Sequence, residues 1–257
     1  MSEPIQISPN FLQLETNKIN HIYGFKFLYP NSNIKIHYQV TLKFLGYNDN
    51  TQPVISIDRL QTYLNNQEPE GIIYEMADKM LKSIYPIHFS MNKNNEIVTI
   101  ENHKTIVISC QQTEKELSNY YVGKSANKII TNFNSQYNSV DTLIYQLQND
   151  LFFKLLFFPL HHQYNINLKA ETTIKLHIEK KEVILPVYQT INPNYSETEK
   201  IEISLLGLQN SDKITTFKLF YNLYPTDYAV ASIIGKIGYK SKNGDEIIEV
   251  ECYHLKN

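Results

Sequence analysis

The chain has 257 residues, 42% hydrophobic and 19% charged, with a net charge of −2. That balance belongs to a globular protein, not a disordered one. A compact chain of this length removes about 75% of its unfolded surface from water, so folding requires neither metal nor disulfide. No domain-sized region is strongly basic, which argues against a non-specific nucleic-acid binder.

Of the 24 basic residues, 23 are lysine and Arg59 is the only arginine. Together with abundant Asn and Ile, this fits an AT-rich, bacterial genome. It also excludes a site built on an arginine cluster, the usual fork for phosphate or carboxylate. The first residues, "MSEPIQISPNFLQLETNK", lack the basic segment and apolar core of a signal peptide. Cys110 and Cys252 are far apart and fit no metal or redox motif. The expected compartment is the cytoplasm.

Three zones are expected within a single domain over 1–257: strand-rich 1–65, mostly helical 70–160, and strand-rich 164–255. From Ile34 to Phe44 every even residue is apolar and the odd ones include Lys35, His37, Gln39 and Lys43. The pattern returns from Ile166 to Ile178, where Leu168, Ile174 and Leu176 oppose Lys169, Glu171 and His177. Such alternation means one buried and one wet face, as in antiparallel sheet. Runs this long span about 37–44 Å, which calls for a curved, twisted sheet wrapped around something.

In the middle zone, Pro69 suits a first helical turn. Ile73, Met76, Ala77, Met80, Leu81 and Ile84 form the apolar stripe of that helix. Glu75 with Lys79, and Asp78 with Lys82, pair four apart on its wet side. Residues 87–101 read as a hairpin turning near Lys93–Asn95. Residues 104–121 carry both strand and helix signals, with helix favoured. Ile129, Phe133 and Tyr137 mark the next helix, and Asn138 or Ser139 can cap the one after it. That last helix, about 140–158, ends in "LFFKLLFFPL", apolar nearly all round. A run of ten residues reaches only about 15 Å, against roughly 20 residues for a bilayer span, so enclosure by protein is expected. The fold class is therefore α+β: long curved antiparallel sheet against three to four helices, with an apolar central helix at about 140–158. "FKFLYPNSN…LGY" and "LFYNLYPTD…IGY" also hint at a duplicated meander, although Tyr-Pro and Gly-Tyr are common turn dipeptides.

No motif carries chemistry. "GKS" at Gly123–Ser125 lacks the first glycine of a phosphate loop, Ser118 standing there. His161 and His162 lack further ligands for zinc. His37 and His177 fall on wet faces, where they meet only if their strands are neighbours. GxSxG and GxGxxG are absent, and Cys252 shares an inward phase with Ile248 and Val250, as an inert core thiol would. No metal and no cofactor is expected. The 19 tyrosines include Tyr195, Tyr224, Tyr228 and Tyr253 in turns or on wet faces, candidates for contact with another protein. The first expectation is a non-enzymatic protein-binding or structural adaptor that contacts another protein or itself. The alternative is a carrier or sensor of an apolar small molecule or lipid, lined by Phe152, Phe153, Phe157 and Phe158. An enzyme without a local motif comes third.

Overall fold

The computed structural model describes residue 12 and residues 14–92, 96–160, 163–178, 181–194, 199–208, 213–242 and 244–255. Its strands are β1 (Asn20–Tyr29), β2 (Ile34–Tyr47), β3 (Pro53–Leu64), β4 (Ile87–Met91), β5 (Ile97–Ile100), β6 (Lys169–Ile178), β7 (Lys181–Ile191), β8 (Ile201–Gly207), β9 (Ile214–Leu223), β10 (Val230–Ser241) and β11 (Gly244–Leu255). They form one antiparallel sheet in the order β5-β4-β3-β2-β1-β11-β10-β9-β8-β7-β6. Helix α1 (Ile72–Ile84) joins β3 to β4. Helices α2 (His103–Tyr120), α3 (Lys124–Tyr137), α4 (Val140–Asn149) and α5 (Leu151–Leu156) join β5 to β6, the two edge strands.

That connection explains the curvature. Helix α4 touches both edges: Gln148 Nε2 donates to the Ile97 carbonyl at 3.3 Å, and the Tyr145 ring lies 6.1 Å from His177. The sheet curls until α4 fills the seam, which leaves less bare edge than an open sheet would. The expected wrapping around an apolar segment is therefore present, although His37 on β2 and His177 on β6 are not on neighbouring strands. Each has a nearer ring: His37 stacks on Tyr63 at 4.9 Å, and His177 meets Tyr145.

Among the described residues there are five α-helices where three or four were expected, because residues 140–158 break in two. Asp150 adopts an extended conformation, and its side chain accepts a hydrogen bond from Phe152 N at 2.8 Å, capping α5. Helix α5 then stops at Leu156, before Pro159. Leu155 is fully buried and Leu151 half-buried. Tyr221 on β9 donates its hydroxyl to the Leu155 carbonyl at 2.8 Å, pinning α5 to the sheet.

Other details depart from the sequence pattern. Strand β6 begins at Lys169, not Ile166, because Asn165 Oδ1 accepts from Asn167 N and Lys169 N and Leu168 takes a positive φ of 57°. Ile166 is left exposed. Helix α1 begins after Gly71, at φ 101°, so Pro69 precedes it and Ile73 faces solvent. Met76, Met80 and Ile84 are buried as expected. Asp78 pairs with Lys82 at 2.7 Å, whereas Glu75 accepts the Tyr121 hydroxyl at 2.8 Å. Residues 103–120 are helical, and Gly123 separates α2 from α3. The hairpin at 87–101 forms from β4 and β5, and its turn at Lys93–Asn95 lies outside the described residues. The suggested meanders are both present, β1-β2-β3 beside β9-β10-β11. Their glycines both border a register shift, but only Gly46 has a positive φ, at 127°.

Candidate interaction surface and interior sites

The inner face is filled. Phe152 meets Phe25 edge-on at 4.6 Å and Phe153 at 5.0 Å, and Phe157 meets Phe89 at 5.5 Å. Phe152, Phe153 and Phe158 are buried and Phe157 is half-buried. A cavity beside Phe157 and Leu156 holds about 30 Å³, and one beside Leu151 and Lys154 about 50 Å³. Each is far below the 300 Å³ or more of a small-molecule pocket.

The outer face near the β6 edge is different. Strand β7 buries Val183, Leu185, Val187, Gln189 and Ile191 and turns its alternate residues outward. Ile184 and Tyr188 are exposed there, and Leu206 of β8, directly opposite Tyr188, is exposed too. Glu171, Lys175 and Lys218 surround them in register. Two open grooves of about 550 and 560 Å³ share Tyr188 as a wall. One runs along Gln163–Asn165 and Lys169–Glu171, the other along Leu206–Leu208 and Ile214–Lys218. Among the described strands β6 pairs with β7 alone, leaving its other side open for strand addition over part of its length. Gly207 is needed in this wall, since a Cβ there would come within 2.8 Å of Leu185 and Phe217.

The four tyrosines singled out from sequence do not come together on this surface. Tyr253 is exposed on β11. Tyr228 is half-buried and packs against the core, and Tyr195 lies outside the described residues, as do His161 and His162. The Tyr224 hydroxyl belongs to an inward-facing chain that the sequence reading missed. It lies 2.8 Å from His254 Nδ1, His254 Nε2 lies 3.3 Å from His21 Nδ1, and His21 Nε2 lies 3.9 Å from Asp227 Oδ2. Donor and acceptor along this chain follow the histidine tautomers, and His21 Nε2 is buried with no hydrogen-bond partner among the described residues, Asp227 lying beyond hydrogen-bond reach. Burial lowers the His21 pKa, partly opposed by Asp227, so His21 is neutral at pH 7. The usable signal was phase, because His21 alternates with Tyr23 and Phe25, and His254 with Val250 and Cys252.

A second inward group surrounds Arg59, in phase with buried Ile55 and Ile57 and opposite Val40. Its Cζ lies 3.8 Å over the Tyr38 ring, and its Nε is buried without a hydrogen-bond partner among the described residues. Tyr38 also meets Phe152, the residue whose amide Asp150 caps, at 5.8 Å. Asp150 is exposed, yet the loss of surrounding water raises its carboxyl pKa, with Arg59 pulling the other way. Burial likewise raises the pKa of Tyr85, whose hydroxyl sits beside the guanidinium, and pushes that of Tyr137 up to about 12.

Among the described residues no group of three His, Cys, Asp or Glu side chains is placed to hold a metal ion, and no helix is long and apolar enough to cross a membrane. Cys110 and Cys252 are buried free thiols. No protein-family model matches the chain, and no curated protein matches it in sequence.

Proposed function

We propose that this chain is a non-enzymatic, cytoplasmic protein-binding or structural component, and that its contact surface is the outer face of β6-β7-β8 with the β6 edge. One observation carries the reading: Ile184, Tyr188 and Leu206 lie exposed and adjacent, between two open grooves, on the strands next to a sheet edge. Apolar and aromatic groups ringed by charge are the usual make-up of an interface centre. A partner chain, or a second copy, seated there would bury more than about 1,000 Å². The carrier reading has weaker support, since the phenylalanines it needs are packed against one another and the cavities beside them hold 30 and 50 Å³.

The test is affinity isolation from the native cell with light scattering on the purified protein, comparing wild type with Tyr188→Asp. Recovery of a stoichiometric partner or a dimer that Tyr188→Asp abolishes, with folding unchanged, is expected. A strictly monomeric protein that co-purifies with a lipid would overturn the reading.

A further inference from the structure

Gly24, in the middle of β1, is a glycine that neither the backbone nor packing requires. Gly46 and Gly244 take positive φ, and at Gly207, Gly235 and Gly238 an added Cβ would come within 2.8 Å of a neighbour. Gly24 has no positive φ, and the atoms nearest to such a Cβ, all in the Leu255 side chain, stand 3.5–3.8 Å away. A glycine inside a strand weakens it and often marks a place where another molecule approaches the backbone.

The missing side chain opens a hollow of about 370 Å³ on the outer face of β11-β1-β2, within the size range of small-molecule sites. Register sets its walls. Tyr253 and Gln39 flank Gly24 on the two neighbouring strands, and one row along Lys26 stands between Glu251 and His37. The His37 ring stacks on Tyr63 at 4.9 Å, and its Nδ1 is buried without a hydrogen-bond partner among the described residues. Burial and the two lysines Lys35 and Lys26 lower the His37 pKa, so the ring is neutral. Lys26 is paired with Glu251 at 2.8 Å. Lys35, one row further, donates to Asn66 and has no carboxylate within 4.0 Å among the described residues. The hollow thus holds an uncompensated ammonium group at one end and bare peptide, Tyr253 and Leu255 at the other. Bare peptide beside a phenol suits a flat ring, and a half-buried ammonium group suits an anion.

We propose that the hollow over Gly24 binds a small aromatic anion, its ring on the Gly24 backbone against Tyr253 and Leu255 and its acidic group towards Lys35. The site lies on other strands than Tyr188 and does not depend on the protein-binding reading.

Gly24 provides its own reporter. With eight glycines in the chain, labelling with nitrogen-15 glycine gives few amide signals, and the one missing from Gly24→Val belongs to Gly24. The probes are benzoate, naphthoate and phenyl phosphate, which vary the ring and the acid. Benzamide supplies a ring without charge, and acetate a charge without a ring. At least one aromatic anion is expected to shift the Gly24 signal saturably, leave that of Gly123 unmoved, and bind about tenfold more tightly than benzamide or acetate. Lys35→Gln should weaken that anion about fivefold and leave any response to benzamide unchanged. Gly24→Val, which fills the hollow with a side chain suited to strands, should abolish binding by calorimetry while resistance to urea stays equal or rises. The proposal fails if no probe moves the Gly24 signal at about 50 mM, far above millimolar affinity. It fails equally if benzamide or acetate binds as tightly as the aromatic anions, or if Lys35→Gln binds them as wild type does. A Gly24→Val protein that still binds, or that loses stability because the glycine serves packing, would also overturn it.

Discussion

The inner and outer faces of the sheet use their apolar side chains in opposite ways. Inside, Phe152, Phe153, Leu155 and Phe158 are buried against one another and against Phe25, Phe89 and Tyr221. Outside, Ile184, Tyr188 and Leu206 remain in water beside grooves of about 550 and 560 Å³, against interior cavities of about 30 and 50 Å³. The α5 segment packs against the inner face, and those two cavities lie beside it. The inner face carries the packing, and the outer face is the one proposed for contact.

Substitutions at the centre of the inner face should therefore have the largest effect on folding. Leu155→Ala is expected to cost about 2–5 kcal/mol by urea denaturation, and a loss below about 1 kcal/mol would mean that α5 is not core. A smaller loss is expected at Gln189, which is buried, accepts the Tyr164 hydroxyl at 2.7 Å and donates to the Pro159 carbonyl at 3.1 Å. Gln189→Leu leaves the Pro159 carbonyl without that donor and should cost about 1–3 kcal/mol.

The polar chain at His21 sets a dependence on pH. Its pKa is lower in the folded state than in the unfolded chain, so the unfolded chain takes up the proton first. Stability should fall as pH drops from about 6.5, the unfolded histidine value, towards the folded one. His21→Gln should flatten that slope in chemical denaturation measured between neutral and mildly acidic pH. Asp150 acts with the opposite sign: its pKa is raised on folding, so its contribution is fully present below the ordinary carboxylate value and is lost as pH rises through the folded value. The smallest effect on folding belongs to the outer face. Tyr188→Ala should change stability by no more than about 0.5 kcal/mol, and a large loss would make Tyr188 part of the framework, not a contact residue.

Much of the sheet was legible because period two survives in its long strands. Val40, Leu42, Val250 and Cys252 face inward as their alternation requires. The same phase marks Arg59, His21 and His254 as inward, although none of them is apolar; the residue type hid what the spacing showed. Strand order was not legible, since alternation tells which face a residue takes and not which strand lies beside it. Nothing in the alternation could place β6 at the edge, Leu206 opposite Tyr188, or α4 across the seam. The break at Asp150 has a local cause, an aspartate able to cap the amide two residues on, but the continuous apolar run after it outweighed that signal. Tyr224 reads as an ordinary turn residue until β11 brings His254 to its hydroxyl.

The division between the two faces is tested most directly by a photo-crosslinking amino acid placed at Tyr188 in the living native cell, with Lys43, exposed on the outer face of β2, as the control position. A discrete protein adduct, with the partner or a second copy, should form at Tyr188 and not at Lys43. No adduct at Tyr188, together with a lipid recovered from the purified protein, would contradict both the filled interior and the outer contact face.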